Sequence, residues 1–136
     1  FPEGPPYPTR TISDGTHRLI LNLTPGELFI EKHLMGLKGN AVLNNPYWAT
    51  WVRDSWAKPE IYKLVKRYQS RPPVSFYDTL KDPYEMNDLA GGPKYQTKMK
   101  EMREELEDWM NREGDPGAWL DSREAQQAAK SGEHIY

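Results

Sequence analysis

The stretch KYQTKMKEMREELEDWMNR, residues 94–112, decides the fold. Tyr95, Met99, Met102, Leu106 and Trp109 recur in steps of four and three, the spacing that lines one face of an α-helix. Gly114 and Pro116 follow and stop it. The opposite face carries Lys98, Glu101, Glu104, Glu105 and Asp108, while Lys100 with Glu104 and Arg103 with Glu107 are spaced to pair across one turn. A charged face so placed reads as solvated, and its carboxylates are badly sited for general acid–base chemistry. A helix with one apolar stripe must bury it, so the rest of the chain has to supply a surface.

That surface is legible upstream. Residues 74–79, VSFYDT, have strand composition, and Asp82-Pro83 follows as a turn in which proline presets φ and aspartate accepts backbone hydrogen bonds. Near the start, TRTIS (9–13), the turn pair Asp14-Gly15 and residues 16–23 predict a β-hairpin. In its second strand His17, Leu19 and Leu21 share one face, and Arg18, Ile20 and Asn22 the other. Thr24-Pro25-Gly26 ends that strand, and 27–45 reads as a long, locally ordered loop. From Pro46, the residues Tyr47, Trp48, Trp51, Val52, Ser55 and Trp56 predict a short helix with three tryptophans on one broad face. Pro59 opens another helix, striped by Ile61, Leu64, Val65 and Tyr68 and ended by Arg71-Pro72-Pro73. FPEGPPYP (1–8) is an extended lead-in, and 118–136 a polar tail with a brief helix over 122–130. The expected fold is α+β, with a small antiparallel sheet of about four strands packed against the long C-terminal amphipathic helix. A Trp-rich helical insert interrupts it, and the whole occupies 9–117.

Among 136 residues, 18 basic side chains face 20 acidic ones, and no stretch is basic enough to track a phosphate backbone, which excludes nucleic acid as a partner. No run of about 18 apolar residues is present to span a bilayer, so no membrane partner is expected. The absence of cysteine removes disulfides, thiolate metal sites and cysteine nucleophiles together. His17, His33 and His134 are too scattered for a zinc site, and no metal ligand is assigned. Asn22-Leu23-Thr24 is a glycosylation sequon at a strand end.

Two separated segments carry a family resemblance. FYDTLKDPYEMNDLA (76–90) resembles the pattern near the C-terminus of type I sulfatases: an aromatic-Tyr-Asp-Leu run, a charged turn, then Asp-Pro-x-Glu-x-x-Asn-Leu-Ala and a long helix. Asp88 stands at the usual asparagine position and Thr79 at a common leucine position. Tyr7-Pro8-Thr9-Arg10-Thr11-Ile12 followed by Asp14-Gly15-Thr16-His17-Arg18-Leu19-Ile20 resembles the same family's Arg-x-Ile-Arg, Asp-Gly, Arg-Tyr-Lys-Leu-Ile hairpin. Ser13, Thr16 and His17 depart from it. Order, spacing and the Trp-rich insert look most similar to the heparan N-sulfatase (sulfamidase) branch.

The resemblance implies a formylglycine, made from a Cys/Ser-x-Pro-x-Arg motif, beside a bound Ca2+, both in an N-terminal catalytic domain to which residues 1–8 would be the connection. This chain has no cysteine, and none of its serines is followed by Pro-x-Arg; Ser70-Arg71-Pro72-Pro73 comes nearest. No catalytic residue is therefore assigned, and the chain alone is expected to be inactive. Its expected partners are the N-terminal sulfatase domain and sulfated carbohydrate, and its exposed apolar surface, as an isolated piece, invites self-association. The candidate substrate contacts are Arg10, His17 and Trp48, with Arg18, Trp51 and Trp56 beside them, because arginine and histidine can meet a sulfate and an indole can stack on a sugar. Each has a plainer structural reading, as ion pair, hydrogen-bonded strand residue or core aromatic. The family implies a periplasmic, secreted or lysosomal protein. A non-catalytic glycan- or protein-binding module is the alternative.

Overall fold

Gly15 adopts a φ of +87°, a left-handed conformation open to glycine, and this closes the first hairpin. Asp14 Oδ1 accepts from the backbone N–H of Thr16 at 2.9 Å and of His17 at 2.7 Å, holding the turn from its side chain. The flanking strands are β1, Thr9–Ser13, and β2, His17–Asn22. The computed structural model that shows this describes residues 7–29, 32–35 and 45–132. The expected lead-in over 1–6, most of the loop at 36–44 and His134 lie outside the described residues, as does the side chain of His33.

β3, Val74–Asp78, pairs antiparallel with β2, Leu19 opposite Phe76 and His17 opposite Asp78, giving the order β1-β2-β3. The sheet has three strands among the described residues, where about four were expected. The α+β arrangement itself is present. Leu19 and Phe76 are fully buried, with Leu21, Met102 and Leu106 around them. Each such side chain is worth about 1.5–3 kcal/mol of transfer free energy.

Met102 and Leu106 come from the long helix, Gln96–Arg112, preceded by a 3-10 turn at Pro93–Tyr95. Gly114, at φ +68°, ends it, and the N–H of Asp115 returns to the carbonyl of Met110 at 2.9 Å. The apolar stripe runs from Met99 through Met102 and Leu106 to Met110, so Trp109, placed on it by sequence, is 45% exposed instead. The opposite face is not wholly solvated either: Lys98 pairs with Asp14 of the hairpin turn at 2.8 Å. The Lys100–Glu104 and Arg103–Glu107 pairs form as spaced, at 3.7 and 2.7 Å. Beyond it, a 3-10 turn at Gly117–Asp121 leads into a final helix, Arg123–Ser131, whose N-terminus Ser122 caps by accepting from Ala125 N–H at 3.1 Å. Ala125 is fully buried, so the stretch read as a polar tail is folded through residue 132.

The chain divides into two compact units. The sheet unit spans 7–24 and 72–136, and the helical unit 1–6 and 25–71, so the latter is inserted between β2 and β3. Within it α1, Lys32–Met35, falls in the stretch read as loop; α2 is Pro46–Ser55 and α3 is Pro59–Gln69. Numbering in chain order makes the long helix α4 and the final one α5. Asn45 caps α2, its side chain accepting from the N–H groups of Tyr47 at 3.0 Å and Trp48 at 3.3 Å, while a proline fills the first turn of both helices. Met35, Trp48 and Val65 form the core of this unit, with Leu34, Val52, Ile61 and Tyr68 against it. Of the three tryptophans expected on one broad face, Trp48 is buried at 2% exposure, whereas Trp51 is 48% and Trp56 88% exposed.

Candidate functional site

In the segment 76–90 three aspartates, Asp78, Asp82 and Asp88, serve backbone groups with their side chains. Asp78 Oδ1 accepts from the N–H of Lys81 at 3.0 Å, and its other oxygen meets Lys81 Nζ at 3.0 Å. The Lys81 side chain holds the Asp78 carboxyl below the usual carboxylate range. Asp82 Oδ2 accepts from Asn87 N–H at 2.7 Å, and the Asp82 carbonyl from Glu85 N–H at 3.0 Å. Glu85 closes this turn at φ +55°, a conformation costly for a residue with a Cβ, and its carboxylate is tied to Arg18 of β2 at 2.5 Å. Asp88 Oδ1 accepts from Phe76 N–H at 3.0 Å and from Ala90 N–H at 2.9 Å, while Leu89 N–H donates to the Phe76 carbonyl at 2.8 Å. Residues 88–90 thereby cover the outer edge of β3, where Phe76 would otherwise leave a buried donor unpaired.

Arg10 shares the helix-facing side of the sheet with Ile12, since its cross-strand partner is Leu21. Its guanidinium grips Asp115 through both Nε and Nη2, the latter at 2.9 Å, and Nη1 donates to Asp121 at 2.9 Å and to the Thr9 carbonyl at 3.0 Å. Its side chain is 14% exposed and that of Asp115 10%. The paired carboxylates raise the Arg10 pKa above its ordinary value, and Arg10 in turn holds Asp115 below the usual range. Every nitrogen of the fork is engaged, so a sulfate would have to displace two carboxylates to reach it. Arg10 is a staple from β1 to the segment beyond α4.

His17 stacks on Phe76, with centroids 5.2 Å apart and planes 7° from parallel, and lies 6.1 Å from the Tyr95 ring. Its Nδ1 is buried without a hydrogen-bond partner among the described residues, 4.0 Å from Asp14 Oδ2. Trp48 packs against Trp51 and Tyr68 inside the helical unit, with centroids 6.2 and 5.6 Å apart, and presents no open indole face. The exposed indoles of that unit belong to Trp51 and Trp56. Arg10 and His17 lie in one unit and Trp48 in the other.

Sequence reasoning missed a pair at α4. A groove of about 320 Å³ runs between β1 and the C-terminal half of that helix, lined by Thr11, Ser13, Glu105, Trp109 and Arg112 among others. Trp109 is half exposed there and Arg112 exposed. The signal was faint, because Trp109 sits one position from Met110, which occupies the stripe.

The hydroxyl of Ser13 accepts from Gly15 N–H at 3.2 Å, Ser55 donates to the Val52 carbonyl at 2.6 Å, and Ser131 donates to the Ala128 carbonyl at 2.9 Å. Among the described residues no group of three or more His, Asp or Glu side chains is placed to hold a metal ion, and no helix is long and apolar enough to cross a membrane.

The chain is 40% identical over 84 residues to the ulvan-active sulfatase of Formosa agariphila, an alignment covering 62% of this chain and 11% of that protein. The chain thus spans about a tenth of the length of the curated relative it matches. No protein-family model matches the chain. The similarity links the chain to the sulfatase superfamily, and to no particular branch of it.

Proposed function

We propose that this chain is the C-terminal portion of a sulfatase acting on sulfate esters or sulfamates of sulfated glycans, and that it supplies scaffold and one wall of the substrate cleft. The observation that carries the reading is the 40% identity to an ulvan-active sulfatase. The placement of the two motif segments supports it, since β1-β2 and 76–90 form one continuous sheet with a finished edge, a surface on which a larger domain can rest. Order and spacing of the motifs favour the sulfamidase branch as the finer relation. Trp109 and Arg112, exposed along the groove by β1, are the side chains proposed to serve as that wall.

Calcium and formylglycine do not fit the residues here, which include no cysteine and, among the described residues, no metal-holding cluster. They belong, in this reading, to a catalytic domain outside the chain, in a periplasmic, secreted or lysosomal protein. The test is twofold. The 136-residue chain should turn over no aryl sulfate with or without calcium, and the reading frame that encodes it should contain a Cys/Ser-x-Pro-x-Arg segment upstream. Calcium-dependent turnover by this chain, or a complete frame without that segment, would overturn the proposal; the latter outcome would favour a free-standing binding module.

A further inference from the structure

Charge is divided unevenly between the two units. The helical unit carries eight basic against five acidic residues, and the sheet unit ten against fifteen. Within the helical unit the acids of the α2–α3 pair are few, and Asp54 is already answered twice, by Arg53 at 2.9 Å and Lys58 at 3.4 Å. Those cations hold its carboxyl below the usual range. Lys63 and Lys66 of α3 have no carboxylate partner among the described residues, and both are exposed. They flank Tyr62, which is 52% exposed, and Lys66 Nζ lies 6.0 Å from the centre of its ring. At about 100° per residue Lys66 lies about 40° and Lys63 about 100° round α3 from Tyr62, on the side opposite to buried Val65. Trp56, 88% exposed, stands at the turn that leads into this helix.

Unpaired ammonium groups beside bare aromatic faces suit a ligand that alternates anions with flat, weakly polar surface. A pyranose ring offers its C–H face to an indole or phenol, and a substituent anion offers charge to lysine. The sparseness of the charge argues against nucleic acid. A duplex presents a charge every 1.7 Å or so, whereas two free lysines on a chain of net charge −2 match anions spaced by uncharged rings.

We infer that the exposed flank of α3 with the α2–α3 turn, centred on Trp56, Tyr62, Lys63 and Lys66, is a binding surface for an anionic polysaccharide. That the anion is sulfate rests on the function proposed above; the anionic-glycan surface rests on charge and aromatic placement alone.

The test is calorimetric titration of the 136-residue chain with dextran sulfate, carboxymethyl dextran, unsubstituted dextran and a single-stranded oligonucleotide. Dextran sulfate should bind most tightly, with affinity falling as salt rises. Trp56→Ala and Lys63→Glu/Lys66→Glu should each weaken it by roughly tenfold, with circular dichroism unchanged because all three side chains are exposed. Lys100→Glu on α4, a comparable charge change in the sheet unit, should leave affinity within about twofold. Absence of dextran sulfate binding, an equal loss in Lys100→Glu, or equal affinity for the oligonucleotide would overturn the inference. Tighter binding of carboxymethyl dextran would overturn the sulfate assignment while leaving the surface. None of these outcomes depends on turnover, which tests the function proposed above.

Discussion

Replacing Arg10 separates the two roles its position allows. The side chain makes two bonds to Asp115 and one to Asp121, and both members of the closer pair are largely out of water, at 14% and 10% exposure. A hydrogen bond to a charged group contributes about 1.5–3 kcal/mol, and stripping one partner from a buried ion pair costs about 3–5 kcal/mol. Asp121, 37% exposed, rehydrates easily, so the penalty falls mainly on Asp115 and Arg10→Met should destabilise the sheet unit by about 2–3 kcal/mol. The loss should depend on pH in one direction. Arg10 depresses the Asp115 pKa in the folded state, so this stabilisation is fully present above the unfolded carboxylate value of about 3.9 and is lost as pH falls through the lower folded value. Urea unfolding of wild type and Arg10→Met at pH 7, 5, 4 and 3 should therefore show a gap that is constant from pH 7 to 5 and narrows below about pH 4. A variant as stable as wild type at pH 7 that had lost affinity for sulfated glycan would refute the staple and restore Arg10 as a ligand. A gap unchanged from pH 7 to 3 would refute the electrostatic account.

Four further substitutions, at three positions, probe the edge of β3 and the helix stripe. Asp88→Ala orphans the N–H of fully buried Phe76 and should cost about 1–3 kcal/mol, whereas Asp88→Asn keeps the accepting oxygen and should stay within about 0.5 kcal/mol of wild type; equal losses by urea titration would show that charge, and not the acceptor, matters. Leu106→Ala should cost about 2–5 kcal/mol and Trp109→Ala less than about 1.5 kcal/mol in the same assay, and the reverse order would place Trp109 in the core after all.

What could be read without coordinates was what nearest neighbours along the chain determine. Asp14-Gly15 specifies its turn because the carboxylate and the left-handed glycine act within four residues of each other. The period over 94–112 specifies a helix for the same reason, but not its exact facing, because Met110 and Trp109 both continue a stripe ending at Leu106. Packing against the sheet chose Met110. The tryptophans illustrate the same limit: spacing put Trp48, Trp51 and Trp56 together, yet of the three Trp48 alone is buried in the core of the helical unit. Arg10 is the extreme case. Its partners lie 105 and 111 residues away, and no local pattern marks Asp115 or Asp121 as anything but loop acids after a helix stop.

The site residues and the fold residues thus sort by range of interaction. Side chains in the two hairpin and turn segments, Asp14, Asp78, Asp82, Glu85 and Asp88, are consumed in fixing turns and covering one strand edge, so the sequence pattern of those segments can be maintained by folding alone. Unspent charge or open aromatic surface is found outside those segments at Trp56, Tyr62, Lys63, Lys66, Trp109 and Arg112, and inside them at Tyr84, which is 84% exposed. The binding proposed for this chain is therefore tested first in the inserted helices and along the exposed flank of α4, where a substitution leaves the packing of the sheet intact.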